Sequence, residues 1–175
     1  ITVTAVNDAP SLSVASGFIP IGEDDVTNNG APVSNFAGWA SDVDAAALEG
    51  LAITGVDNGN GTWQYTLDGT NWLDIGNVSP SIARLLPSDA VTRIRFVPAP
   101  DWNGVTGLTY YKAWDQTTGT AGGLADVTVN GGSTAFSTGT SGTALSVTAV
   151  NDAPVITSHG GGVAAAISVP ESTVA

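Results

Sequence analysis

The sequence predicts an all-β protein, a Greek-key β-sandwich of about seven to nine short strands. Runs rich in Val, Ile, Thr, Tyr and Trp are separated by clusters of Gly, Asn, Asp and Pro, which is typical of strands joined by turns. Asn-Gly and Asp-Gly pairs at 58–61 and 68–69 indicate tight hairpins, because both pairs tolerate positive φ angles. No stretch repeats its apolar residues with the period of a helix.

The individual strands follow from these runs and turns. The turn at 58–61 joins the third strand to the fourth, and the turn at 68–69 joins the fourth to the fifth. Ile94 and Phe96 alternate with two arginines, as expected of a strand with one buried and one solvated face. The predicted strands occupy residues 11–21 (broken near Gly17), 34–40, 51–56, 62–67, 72–75, 92–97, 108–114 and 144–150.

Two segments fit this scheme less directly. Residues 79–89 (SPSIARLLPSD) favour either a short helical turn or an irregular crossover. Residues 119–142 are rich in Gly, Ser and Thr, and they predict a long, mobile excursion between the last two strands, containing one extra hairpin.

An internal repeat defines the domain organisation. The octapeptide VTAVNDAP at 3–10 returns unchanged at 147–154, and such self-similarity is the mark of an array of modules. We therefore expect residues 1–10 to be the end of a preceding module and its linker. Residues 11–150 are expected to form one complete module, and residues 151–175 the next linker and the first strand of the following module.

The composition excludes several classes of partner. Sixteen acidic residues against four basic ones give a formal charge of −12, which disfavours nucleic acid and anionic membrane surfaces. No apolar run is long enough to cross a bilayer, so we expect no membrane insertion. The absence of cysteine excludes disulfides and thiolate metal sites. Bound cations remain as a means of neutralising and stiffening the chain, with a solubilising acidic surface as the alternative reading.

Several motifs resemble one family. The chain resembles bacterial cadherin-like modules, the tandem repeats of very large secreted adhesins of the RTX type, through VTAVNDAP, SDVDA at 41–45, AWD at 113–115, TWQY at 62–65, RIRFVP at 93–98 and DWNG at 101–104. The resemblance implies an immunoglobulin/cadherin-like sandwich, Ca²⁺ binding, neighbouring repeats as partners, and a role in cell adhesion or biofilm formation. It also implies an extracellular location, at the bacterial surface or secreted by a type I route. The motif VPES at 169–172 resembles the first strand of a module of another subtype.

The Greek-key topology predicts where the acidic residues lie. Calcium binds six to eight oxygen ligands, and no single loop supplies them in sequence, so distant loops must combine. The loops after the second strand and after the strand at 108–114 should meet the incoming linker at one pole. This pole would contain Asn7 and Asp8 of the linker together with Asp42, Asp44 and Asp115. The loops after the first strand and before the strand at 108–114 should meet the outgoing linker at the other pole. This pole would contain Glu23, Asp24 and Asp101 together with Asn151 and Asp152 of the linker.

The sequence favours two other functions less strongly. Catalysis is disfavoured because the chain has no cysteine and one histidine, His159, in a Gly-rich segment, so we expect no enzyme. A glycan- or surface-ligand-binding module is the stronger alternative, because tryptophan faces stack on sugars when exposed. The sequence places most of its five tryptophans in or beside strands and predicts that Trp102 is the most exposed: Trp39, Trp63, Trp72, Trp102 and Trp114.

Overall fold

The computed structural model describes residues 2, 4–13, 17–37 and 40–153, and the all-β prediction is confirmed for them. No helix in these residues is long and apolar enough to span a membrane. The elements are β1 (Ser11–Leu12), β2 (Ile21–Gly22), β3 (Ala31–Pro32), α1 (Ser34–Ala37), β4 (Ala40–Ser41), β5 (Gly50–Gly55), β6 (Gly61–Thr66), β7 (Leu73–Asp74), β8 (Ile82–Pro87), β9 (Arg93–Pro98), β10 (Gly104–Val105), β11 (Thr109–Trp114), β12 (Leu124–Asp126), β13 (Ser141–Thr143) and β14 (Ser146–Thr148).

Two antiparallel sheets enclose the main core. One has five strands in the order β12-β8-β5-β11-β13, and the other has four in the order β3-β9-β6-β7. Both sheets contribute apolar side chains to a single buried cluster, as expected of a sandwich. The five-stranded sheet supplies Leu51, Ile53, Leu86 and Tyr111, and the four-stranded sheet supplies Trp63, Tyr65, Ile94 and Phe96.

The first predicted strand, 11–21, is divided between two small sheets. β1 pairs with β4 antiparallel, whereas β2 pairs with β14 in parallel. β14 in turn pairs with β10 antiparallel. Gly17 and Pro20 lie between β1 and β2, where the chain changes partner. The second part of the first predicted strand, β2, is thereby hydrogen-bonded to the last strand, β14, beside the outgoing linker.

The predicted strand at 34–40 is wrong for its first half, which forms the helical turn α1. The amides of Phe36 and Ala37 both donate to the carbonyl of Val33, at 2.9 Å each. Val33, Phe36 and Ala37 are buried, and their spacing is the one that brings side chains to one face of a helix. The ring of Phe36 packs against Phe18, with centroids 4.7 Å apart. Core packing therefore selects the helical turn over the strand.

The segment 79–89 also differs from its prediction, because its centre is the regular strand β8. Its consecutive residues Leu85 and Leu86 are both fully buried, which a strand with one solvated face would not allow. Leu86 belongs to the main core and Leu85 to a second cluster. The sheet is therefore covered on both faces.

The cover on the outer face is the excursion 119–142, which packs against the sheet instead of extending as a mobile loop. Its strand β12 pairs with β8, and β13 pairs with β11. Val127, Ala135 and Phe136 are buried in the second cluster together with Leu85 and Trp114. The excursion is thus part of the hydrophobic core of the module.

This arrangement predicts that Leu85→Ala and Leu86→Ala destabilise the protein by similar amounts, about 2–5 kcal/mol each, because both remove fully buried side chains. Urea unfolding of the full chain measures both. Ile82→Ala in the same strand is the control, since Ile82 is 37% exposed. A loss for Leu85→Ala no larger than that for Ile82→Ala would contradict the packing of the excursion.

Candidate functional site

The structure brings the five predicted residues of the incoming pole together by hydrogen bonds. The Asn7 Nδ2 group donates to Asp115 Oδ2 at 2.8 Å. The Asp8 amide donates to Asp44 Oδ2 at 2.8 Å, and the Asp44 amide donates to Asp42 Oδ1 at 2.8 Å. Asn7, Asp44 and Asp115 also line one open cavity of about 270 Å³. The linker is therefore hydrogen-bonded to both acidic loops.

Asp115 is the most buried of these carboxylates. It follows the last residue of β11 and is 3% exposed. Its Oδ1 accepts the amide of Thr117 at 2.8 Å and the Thr117 hydroxyl at 2.6 Å, which closes a turn. Its own amide donates to the carbonyl of Ala135 at 3.1 Å. The end of β11 and the excursion together fix this side chain.

Asp42 carries an unsatisfied oxygen. Its Oδ1 accepts the Asp44 amide, whereas its Oδ2 is buried and finds no donor among the described residues. A buried carboxylate oxygen without a donor is costly, because it has lost its water and gained nothing in exchange. This oxygen has the free lone pairs that a hard cation prefers.

The outgoing pole is organised around Glu23, which follows β2 and is 4% exposed. Its Oε2 accepts Asn103 Nδ2 at 2.9 Å, and its Oε1 accepts the Val150 amide at 2.6 Å. These two hydrogen bonds lower the pKa of Glu23, because they stabilise the charged form. Glu23 therefore ties the loop before β10 to the start of the outgoing linker.

The carboxyl of Asp152 is influenced by three other acidic residues of this pole. Desolvation raises the pKa of its carboxyl, and the negative charges of Asp101, Asp24 and Glu23 raise it further. The Asn151 Nδ2 group donates to the Asp152 carbonyl at 3.3 Å. The negative charges of this pole therefore act on the Asp152 carboxyl.

The two poles lie at opposite ends of β11. Asp115 follows the last residue of this strand, and β5 places Gly50 opposite Trp114 at the same end. Asp101 and Asn103 lie before the first residue, and the amide of Thr106 bonds the carbonyl of Leu145 just ahead of β14. A six-residue strand spans about 20 Å, so the poles are well separated.

Neither pole is a closed metal site in the described ranges, where no group of three or more His, Cys, Asp or Glu side chains is arranged to hold an ion. Asp8 and Asp152 occupy the same position of the repeated octapeptide, one at each pole. In an array, one linker would meet both acidic sets at once. Each pole of a single module therefore holds half of the ligands proposed from the sequence.

Several residues of the two poles were absent from the predicted set. Asn103 and Thr117 bind the pole carboxylates Glu23 and Asp115, and the carbonyls of Gly132 and Thr134 accept hydrogen bonds from the incoming linker. Asn103 belongs to the DWNG motif, so the sequence could have indicated its role. The contacts of the excursion could not be predicted from side-chain identity, because they use backbone carbonyls.

Other acidic side chains close turns away from this network, as their Asp-Gly and Asp-x-x contexts indicate. Asp68 Oδ1 accepts the amides of Thr70 and Asn71 at 2.9 and 2.7 Å. Hydrogen bonds from Asn71 are the main cause of the lowered pKa of Asp68. Asp89 Oδ1 similarly accepts the amides of Val91 and Thr92 at 3.0 and 2.6 Å.

The tryptophans do not form an exposed platform in the part of the chain that the structure describes. Trp63 and Trp114 are buried, and the Arg95 guanidinium covers the half-buried Trp72 at 4.1 Å from the ring centroid. Trp102, predicted to be the most exposed tryptophan, is half-buried, and its ring packs edge-on against Phe96 in the core. Trp39 and His159 lie outside the described residues.

Comparison of the chain with protein-family models, with curated proteins and with solved structures found no match.

The repulsion at the outgoing pole predicts that Asp101→Asn lowers the pKa of Asp152, because it removes a neighbouring negative charge. The raised pKa means that protonation of Asp152 favours folding, and that this benefit is lost as the pH rises through the folded-state pKa. NMR titration of the Asp152 carboxyl carbon measures the shift. Glu49→Gln, beside β5 at the opposite pole, is the control; equal midpoints in the two variants would contradict the cluster.

Proposed function

We propose that this chain is a structural extender repeat of a large bacterial adhesin, secreted or displayed at the cell surface. Neighbouring repeats stack end to end, and Ca²⁺ stiffens their junctions to support adhesion or biofilm formation. The observation that carries the proposal is the repeated linker: its two copies lie at opposite poles, and each contacts a separate acidic set. In such an array each module contacts chiefly the modules before and after it.

The distribution of basic groups supports a cation from solution. Each of the four basic side chains donates hydrogen bonds to residues outside the predicted pole set. Arg84 donates to the carbonyls of Ile75 and Gly122, Arg93 to those of Asn29 and Gly30, Arg95 to Gln64 and Asn28, and Lys112 to Ser137 and Thr138. Within the described residues, no basic side chain therefore donates a hydrogen bond to a pole carboxylate. An ion that accepts many oxygen ligands at flexible angles fits this need.

The expected energy is modest. Extracellular calcium modules have dissociation constants of about 10⁻⁴–10⁻³ M, so millimolar calcium contributes about 1 kcal/mol per site. That is small against the stability of the whole module, but it is sufficient to change the population of a bent junction. Calcium in this proposal controls the angle between modules and leaves the fold of each module intact.

Calorimetric titration of a tandem protein, residues 1–153 followed directly by residues 10–153, tests calcium binding directly, because this join keeps a single copy of VTAVNDAP between the two modules. We expect uptake that the double substitution Asp42→Ala plus Asp44→Ala weakens by about tenfold or more, because it removes the unsatisfied oxygen of Asp42 and the acceptor of the linker amide. Asp74→Ala plus Asp126→Ala is the matched control, with the same change of charge away from the poles. The absence of calcium uptake by the unsubstituted tandem protein would refute the calcium part of the proposal.

Small-angle scattering of the same tandem protein tests the mechanical role. We expect a larger maximum dimension and a narrower distribution of shapes in millimolar calcium than in chelator, because the cation removes the repulsion at the junction. A single module measured in both buffers is the control, and it should not change. Identical curves for the tandem protein would leave calcium without the proposed role.

A further inference from the structure

The excursion 119–142 contacts the incoming linker directly. The Ala9 amide donates to the carbonyl of Gly132 at 2.7 Å. The Asn7 Nδ2 group, besides its bond to Asp115, donates to the carbonyl of Thr134 at 3.3 Å. With the bond from the Asp8 amide to Asp44, three consecutive linker residues are held by the module that follows them.

The turn at 131–134 that supplies these carbonyls is fastened to the core. The Gly131 amide donates to the Phe136 carbonyl at 2.8 Å, and the Thr134 amide and hydroxyl donate to the Gly131 carbonyl at 3.2 and 2.9 Å. Gly131 and Gly132 have φ angles of 75° and 59°, which favour glycine. Phe136 is buried beside Trp114, with which it forms a β-bridge. The acceptors are therefore preorganised.

The second copy of the linker shows the same local structure without this support. The Asn151 side chain donates to the Asp152 carbonyl at 3.3 Å, and the Asn7 side chain makes the matching bond to the Asp8 carbonyl at 3.2 Å. Among the described residues, the backbone amides of Asp152 and Ala153 find no acceptor, whereas those of Asp8 and Ala9 do. The sequence is identical, so the surrounding module makes the difference.

We propose that Asp44, Asp115 and the turn 131–134 form a receptor for the linker sequence Asn-Asp-Ala, which orients the preceding module without a cation. The excursion is the part of the module that completes this receptor. The proposal deepens the extender role and rests on it. The linker binds here through the donor atoms of Asn7, Asp8 and Ala9, and a nitrogen donor is not a ligand for calcium.

The receptor makes each junction asymmetric. The following module holds the linker through several hydrogen bonds, two of them to backbone carbonyls that do not titrate. On the preceding module, Val150 keeps a bond to Glu23 while Asp152 is repelled by the surrounding carboxylates. In chelator, the hydrogen-bonded side of the junction therefore keeps its geometry, and the junction bends on the preceding side.

Amide hydrogen exchange of the full chain, followed by NMR in chelator, tests the receptor. The amides of Ala9 and Ala153 have identical sequence neighbours and hence equal intrinsic exchange rates. We expect Ala9 to exchange at least about tenfold more slowly than Ala153, because it is hydrogen-bonded to Gly132. Equal rates would overturn the proposal, and so would protection of Ala9 that appears only after calcium is added.

A matched pair of substitutions identifies the cause of the protection. Asn7→Asp replaces the donor that faces Asp115 and Thr134 with an acceptor, so it should abolish the protection of Ala9. Asn151→Asp makes the same change in the second copy and should leave Ala9 unaffected. Asn7→Ala removes the donor without adding charge and should reduce the protection partially. Unchanged protection in both Asn7 variants would refute the role of the side chain.

The test separates this proposal from the extender role. Protection of Ala9 in chelator, together with no calcium uptake by the tandem protein, would retain the receptor and remove the calcium. Calcium uptake together with an unprotected Ala9 would retain the calcium and remove the receptor.

Discussion

The burial of β11 on both faces is the constraint on which the rest of the molecule depends. Tyr111 points into the core between the two sheets, and Trp114 points into the cluster beneath the excursion. The pairing of Trp114 with Phe136 brings the excursion to the end of the strand, where Asp115 begins the incoming pole. The same apolar contact therefore completes the core and places the acceptors of the linker.

The distribution of charge follows from this architecture. Strand ends carry Asp and Glu because turns need side chains that accept backbone amides, and the strand ends of a sandwich gather at two poles. The four basic groups are placed along the sheets, where their donors are taken up by backbone carbonyls and by Gln64. The result is a module whose acidic ends, in the part of the chain that the structure describes, receive no hydrogen bond from a basic side chain. This is the physical basis of the proposed calcium dependence.

The two linker copies give the junction a direction. At the incoming pole the linker donates hydrogen bonds to a receptor built partly from the excursion, and at the outgoing pole it ends among repelling carboxylates. Such a joint would keep neighbouring modules aligned through hydrogen bonds on one side, while cations reduce the repulsion on the other. The excursion, which is the least strand-like part of the sequence, supplies this asymmetry.

The sequence by itself determined the all-β class, the hairpin of β6 and β7 and the alternation of β9, because turn residues and period-2 patterns act locally. The turn at 58–61 was predicted to close a second hairpin, but it joins β5 to β6, which belong to different sheets. The sequence also predicted that Asn7, Asp8, Asp42, Asp44 and Asp115 come together, and hydrogen bonds at the incoming pole join them. Only the tertiary structure decided the helical turn α1, the strand β8, the burial of Trp102 and the packing of the excursion. Each of these depends on which distant surface covers the segment. The carbonyls that hold the linker leave no trace in side-chain identity, because every residue carries one.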